Sequence, residues 1–486
     1  MNHYRLLING AWTSANGSTK TLEVKAPWDQ RKLAEVDQAN AAQMESAIQS
    51  STEAFATFRK SPRFLRATLL QLIAKGIVEH REEFITRIID EAGKPRKLAM
   101  AEVDRAITTF TLAAEESKRF GGEVIPLDFE ESAQAFGTAI SHWVARGPVL
   151  AISPFNFPLN LVAHKVAPAL AVGTCVLLKP PPQAPGASHL LGEIFLAAVE
   201  SMAAKKQMIP KGVFQIVNAS HDIMGLAVKD SRLSILSFTG SDRAGFMLQQ
   251  LAVKKKALLE LGGNAAVIVC KDADLLRAAS RIAFGAFAYA GQVCISIQRI
   301  FVERSVSAKF NELLMSEIKK IKSGDPSDPE TLVGPVIDAA NADRILLWID
   351  EAKASGAKVL CGGESKGSLI QPTILENVAS SAKLSCDEVF GPVATLDTFD
   401  QFEEALERVN SSRFGLQAGV FTSDQRIIQK AVDELEVGGV IINEVPTFRS
   451  DQMPYGGAKD SGLGREGVRY TMMEYCEPKV LVQFRG

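Results

Sequence analysis

From Val149 onward, short apolar runs alternate with helical or turn-rich segments; VLAIS, CVLLK, VFQIV and SILSF come in succession. This rhythm is that of parallel strands joined by crossover helices, so a doubly wound sheet is expected. A second series opens near Gly262 with AAVIV. It continues through a helix over 274–289, the strand RIFVE and helices over 305–322 and 338–354, and ends with VATLDTF and GGVIIN. The first part of the chain is different. Residues 1–30 are turn-rich and read as short edge strands, while 41–60, 69–91 and 104–117 have helical periodicity. Between 124 and 148, two extended runs, VIPLDFE and GTAISHWVAR, flank a polar centre and predict a long hairpin. A protruding hairpin exposes edges that another subunit would cover; a hairpin packed on its own domain fits the pattern as well. The fold class is α/β. No internal repeat or low-complexity run interrupts it.

Composition narrows the function classes. A chain of 486 residues has room for two or three domains, and 46% apolar with 23% charged residues is ordinary for a soluble globular enzyme. A net charge of −2 gives no footprint for nucleic acid or an anionic membrane. Six cysteines without a CxxC give neither a disulfide framework nor a zinc knuckle, so no metal site is expected and a reducing, cytoplasmic setting fits. The start, MNHYRLLING, does not read as a signal peptide. The most apolar stretch, 159–178, carries Asn160, His164, Lys165 and Pro168 and reads as a buried helix, turn and strand rather than a membrane span. Asn16-Gly-Ser and Asn410-Ser-Ser match glycosylation sequons, which have no meaning in a cytosolic protein.

Candidate chemistry centres on Cys294, in AYAGQVCISIQRIFVE. A lone cysteine is usually a small buried hydrophobe. Here it shares an α/β chain with Glu260 in LELGGN, Asn156 in SPFNFP and Lys179 in LLKPPP. Lys179 ends an apolar strand, where ligands bind in parallel sheets. Glu260 follows the apolar run Ala257-Leu-Leu, so partial burial should raise its pKa. Pro154 and Pro158 bracket Asn156 and stiffen its turn. Each also has a plain structural reading: Asn156 as a helix cap, Glu260 in a buried ion pair, and FTGS, at 238–241, as an N-capped helix.

The motifs SPFNFP, LLKP, FTGS, LELGGN, GQVC, EVFGP and PYGGAKDSGLGRE stand in an order that resembles the aldehyde dehydrogenase superfamily, over nearly the whole chain. The branch it resembles handles small aldehydes of the lactaldehyde, glyceraldehyde-3-phosphate and phosphonoacetaldehyde type. The resemblance implies two doubly wound α/β domains plus a β-hairpin oligomerisation element. Residues 1–121 and 146–261 would bind the nicotinamide dinucleotide and 262–470 would carry the nucleophile. Residues 122–145 and 471–486 would join as the oligomerisation element of a homodimer or homotetramer, with EPKVLVQF as the partner strand.

The resemblance also implies roles. Cys294 would attack an aldehyde, Asn156 would hold the resulting oxyanion with the Cys294 N–H, and Glu260 would activate the water that hydrolyses the thioester. NAD or NADP would be held by Ser153, Pro154, Phe155, Lys179, Pro182, Phe238, Gly240, Ser241, Leu261, Gly262, Glu388 and Phe390. Among these, Lys179 would meet the adenosine ribose, Gly240 and Ser241 the pyrophosphate, and Glu388 and Phe390 the nicotinamide side. There is no GxGxxG. Many NAD-preferring relatives carry Glu where this chain has Pro182, so NADP is left open. Arg105 and Arg449 match positions that face the substrate tunnel in relatives acting on small anionic aldehydes, and a guanidinium fork suits such a group. Val293 stands where phosphate-clamping members often place a third arginine, and either arginine also reads as simply solvated or salt-bridged. The rivals are a CoA-acylating semialdehyde dehydrogenase, against which Glu260 speaks, a non-catalytic protein that kept the fold, and a cysteine acyltransferase without a redox cofactor.

Overall fold

The computed structural model describes residues 2–15, 21–133 and 136–484; the Asn16-Gly-Ser sequon lies outside the described residues. Two large sheets organise the chain. The first has eight strands, and five of them, Lys256–Glu260, Ile235–Thr239, Val149–Ile152, Val176–Lys179 and Phe214–Ile216, are mutually parallel. Gly462–Leu463 adds antiparallel at one side and Leu6–Ile8 at the other. The second sheet has seven strands, six of them parallel, with Ile297–Glu303 and Ala265–Val269 at its centre. The strands VLAI and AAVIV are buried along their whole length. That is why they read as continuous apolar runs: helices cover both faces of a parallel sheet.

The stretch 159–178 resolves as expected. Helix Asn160–Val172 is buried throughout, Gly173 (φ +84°) turns the chain where a β-carbon is opposed, and strand Val176–Lys179 follows.

Two expectations need correcting. The helix read over 69–91 is two helices, Arg63–Glu79 and Arg81–Ala92, separated at His80 (φ −105°, ψ 21°). Apolar positions continue across that one-residue break, so periodicity does not register it. The helix read over 104–117 is the 24-residue Arg96–Arg119, which opens directly after Pro95. Its first turn, RKLA, is too polar to announce itself, although Pro beside a helix start is a usual signal.

The hairpin is present but shorter on one side. Val124–Pro126 pairs antiparallel with Thr138–Ala145, and Cys476–Gln483 pairs with the other edge of Thr138–Ala145 along all eight residues. No helix among the described residues is long and apolar enough to cross a membrane.

Candidate active site

The site follows from where strands end. Neighbouring parallel strands of the first sheet stop in register: Ile152 lies opposite both Lys179 and Phe238, and Thr239 opposite Glu260. The segments leaving this carboxyl edge, where parallel sheets bind ligands, carry Ser153 to Asn156, Gly240 and Ser241, and Leu261 and Gly262. The second sheet faces it with loops that precede strands: Cys294 comes before Ile297–Glu303, and Glu388 and Phe390 before Val393–Phe399. Between them lies a cavity of about 910 Å³. Every site residue named from the sequence lines it except Pro182, which is exposed and stands off the wall.

Cys294 is aimed by a strained turn. After helix Leu275–Phe287, Tyr289 (φ 55°) and Ala290 (φ 52°) adopt left-handed backbone and Gly291 continues it. Such conformations cost an L-residue roughly 1–2 kcal/mol each, so the surroundings must enforce them. Tyr289 donates its hydroxyl to the Ala92 carbonyl (3.0 Å) and its N–H to that of Leu332 (3.0 Å). The buried Gln292 side chain accepts from the Ile337 N–H at 2.9 Å. A β-carbon on Gly263 would stand 2.2 Å from the Cys294 carbonyl oxygen, so only glycine fits there.

Asn156 is buried and caps no helix. Its Nδ2 donates to the Gln292 carbonyl at 2.9 Å, tying the carboxamide to the turn before the nucleophile. One Nδ2 proton is left over, and Oδ1 has no partner. The end of Asn156's own loop is fixed from another helix. Glu102 accepts from the N–H groups of Leu159 (2.9 Å) and Asn160 (3.1 Å) and pairs through its other oxygen with the buried Lys94.

Glu260 is 3% exposed, and neither carboxyl oxygen has a hydrogen-bond partner among the described residues. Burial, reinforced by the nearby Glu466 carboxylate, pushes its pKa well above the usual carboxyl range. Glu466 is held in the opposite direction. Burial disfavours its charge, but Lys165 (3.1 Å) and Arg449 (3.1 Å) outweigh that and keep it ionised. The Cys294 thiol is pushed up to about 12, chiefly by burial, although the Tyr455 hydroxyl lies 3.1 Å from Sγ and favours the anion.

Both arginines already have partners. Arg105 grips Asp451 in two-pronged fashion (Nε at 3.1 Å, Nη2 at 2.6 Å), leaving Nη1 over. His164 and Asn160 donate to the same carboxylate at 2.8 and 3.3 Å. Asp451 stays ionised because these bonds outweigh its burial. Arg449 binds Glu466 through Nη2 and leaves Nε unpartnered. Lys165, Glu466, Tyr455 and Asp451 were not singled out from the sequence. Lys165 carried one usable signal, being a charge inside a mostly apolar stretch that reads as buried, which demands a counter-charge somewhere.

The residues present fit a nicotinamide dinucleotide. Among the described residues Lys179 reaches only the Pro180 carbonyl (3.5 Å), and burial lowers its pKa to about 8, as expected for an ammonium without a counter-charge. Ser241 caps helix Asp242–Leu251, whose positive end borders the cavity. A β-carbon on Gly245 would stand 2.4 Å from Leu261, so glycine lets this helix pack close to the sheet edge. Glu388 accepts from the Gly263 N–H at 3.0 Å and, through burial, titrates at about 7. Phe390 meets Phe155 edge-on at 5.9 Å.

Cys294, Asn156 and Glu260 thus stand with the strand-end Lys179 around one cavity. A family profile described as the aldehyde dehydrogenase family matches residues 12–481, and the chain belongs to that family. It is an oxidoreductase acting on aldehydes with NAD or NADP. A 3-sulfolactaldehyde dehydrogenase of Priestia aryabhattai is 37% identical over 487 residues, covering 99% of this chain and 98% of the relative. Aldehyde dehydrogenase 21 from Physcomitrella patens, in complex with the reaction product succinate, superposes with a TM-score of 0.95 at 38% identity, covering 100% of this chain and 98% of its own. The glyceraldehyde-3-phosphate dehydrogenase GapN from Methanocaldococcus jannaschii, complexed with NADP, superposes with a TM-score of 0.91 at 36% identity, covering 96% and 100%.

Proposed function

We propose that the chain oxidises a small aldehyde bearing an anionic or hydroxyl group to its carboxylic acid, through a hemithioacetal and then a thioester on Cys294. The observation that carries this reading is the convergence of Cys294, Asn156 and Glu260, whose carboxyl has no partner among the described residues, on one cavity. Sγ adds to the carbonyl carbon, and the oxygen takes up the negative charge. The spare Nδ2 proton of Asn156 and the Cys294 N–H hold that oxygen. The nicotinamide, when bound, supplies the hydride acceptor. Glu260, once ionised, takes a proton from the water that attacks the thioester, and the sulfur leaves as thiolate. Residues 1–121 and 146–261 supply the nucleotide-binding wall, and 262–470 the nucleophile.

The relatives named above act on sulfonated and phosphorylated aldehydes or hold a dicarboxylate product, and Arg105 offers Nη1 for such a group. NADP is accepted on this reading, because Pro182 puts no carboxylate beside Lys179. The test is reduced-nicotinamide formation across plain, hydroxy, carboxylate, phosphate and sulfonate aldehydes, each with NAD and with NADP. Anionic members are expected to lead, and Arg105→Gln to raise their KM roughly tenfold with little change for plain aldehydes. Plain aldehydes in the lead, with KM values indifferent to Arg105→Gln, would sink the anionic reading.

The strand Cys476–Gln483 supports a homodimer or homotetramer. It forms the outer edge of its three-stranded sheet, and Val480, Leu481 and Val482 on it, with Phe484 just beyond its end, are exposed. An apolar edge strand of this length calls for a covering partner. Light scattering is expected to show an oligomer, and Val480→Asp with Val482→Asp to shift it to monomer; a monomeric parent would refute the assignment.

A further inference from the structure

We propose that the Tyr455 hydroxyl is a catalytic hydrogen-bond donor to the Cys294 sulfur anion, and that Arg449 acts through it as a positioning residue by lying over the Tyr455 ring. The proposal rests on the reading of Cys294 as nucleophile and goes beyond it, because it concerns how a half-buried thiol is brought to ionise.

Tyr455 is 3% exposed, and its hydroxyl has a single polar partner among the described residues, Cys294 Sγ at 3.1 Å. Burial keeps it a phenol, since its own ionisation is pushed far above the ordinary value, so it offers a proton rather than a charge. The charged or titratable groups facing Cys294 come from separate segments. Glu388, ahead of Val393–Phe399, and Glu260, at the end of Lys256–Glu260, oppose a sulfur anion; Arg449 and the Tyr455 hydroxyl favour it. Tyr455 itself faces Cys294, Arg449 and Glu260.

Arg449 makes no hydrogen bond to the sulfur. Its guanidinium carbon lies 3.8 Å from the Tyr455 ring centroid, within cation–π range. A cation on the ring face draws electron density from the phenol and strengthens its O–H as a donor, most of all where water is excluded. Glu466 fixes both parts of this stack. Its side chain holds Arg449 at 3.1 Å, and its backbone exchanges two hydrogen bonds with Tyr455, N–H to carbonyl at 2.7 and 2.9 Å. A donor held so firmly needs no reorganisation when charge appears on sulfur.

The test is the rate at which iodoacetamide modifies Cys294, followed by peptide mass spectrometry and by loss of activity, from neutral to alkaline pH. The thiolate displaces iodide, so the profile reports thiol ionisation without aldehyde or nucleotide. Modification of Cys294 in the parent without loss of activity would count against the nucleophile reading alone. Tyr455→Phe is expected to move the inflection upward and to slow modification at neutral pH about tenfold, with nucleotide binding retained. A superimposable profile makes Tyr455 mere packing, and a downward shift means the thiol donates to the phenol; either overturns the proposal. Arg449→Met is expected to slow modification roughly threefold in the parent and to add nothing in the Tyr455→Phe background. Equal effects in both backgrounds would show that Arg449 acts on sulfur directly and would overturn the relay. If Tyr455→Phe does not fold, Tyr455→Met, which also removes the hydroxyl, takes its place in both comparisons, and a profile superimposable on the parent's overturns the proposal.

Discussion

Replacing Cys294 with alanine is expected to lower kcat for aldehyde oxidation by at least about 10⁴-fold while leaving nicotinamide nucleotide affinity within about twofold of the parent. On the proposed mechanism Sγ makes the first bond of the reaction, and no other group lining the cavity offers a comparable nucleophile. Cys175, Cys270 and Cys476 are buried, and none of the other five cysteines lines the cavity. Nucleotide affinity should survive because Lys179, the capped helix behind Ser241, and Glu388 hang on other segments. Steady-state assay together with a nucleotide fluorescence titration checks both halves. Substantial residual turnover with nucleotide affinity intact would assign the covalent step to a different residue.

Glu260→Gln is expected to separate the two half-reactions. Acyl-enzyme formation does not need a base for water, so mixing enzyme with aldehyde and nucleotide should release about one equivalent of reduced nicotinamide per site and then slow by roughly 10²- to 10⁴-fold. The same buried position that raises the Glu260 pKa sets the pH dependence. A carboxyl whose pKa is raised ionises only as pH climbs through that raised value, so deacylation in the parent should increase with pH. The variant should lose that limb. Asn156→Ala is the informative contrast: it weakens oxyanion stabilisation before hydride leaves, so its turnover should fall without a burst. Stopped-flow traces decide the matter. A Glu260→Gln enzyme that shows no burst and is slow from the first turnover would place Glu260 in the chemistry of the thiol instead.

The pattern of apolar runs conveyed both sheets because the strands are buried on both faces, a condition that writes itself locally into the chain. That Cys294, Glu260, Asn156 and Lys179 would line one cavity was suggested by the motif order and by each being a polar residue at the end of an apolar run or within a stiff, glycine- or proline-bearing motif. Tyr455 and Glu466 lie inside a motif that was noticed, yet their parts were not legible. Glu466 acquires its meaning from Lys165, some three hundred positions earlier, and Tyr455 from the sulfur it touches. The counter-charges of Arg105 and Arg449 were hidden in the same way, since an ion pair between distant segments leaves no periodic trace. The break at His80 escaped because the apolar stripe resumes in phase beyond it.

Helix Arg96–Arg119 carries Glu102 and, one turn later, Arg105. The first holds the end of the loop that bears Asn156, while the second reaches the cavity. Any sliding or tilting of this helix would therefore disturb the loop of Asn156 together with the cavity-facing Arg105. Descendants of this sequence have a restricted route to new aldehydes: they can exchange side chains at 105 and at its counter-ion 451 on an unmoved scaffold, but displacing the helix would forfeit turnover. Diversification within such a lineage should thus be recorded as point replacements rather than as insertions or shifts in this part of the chain.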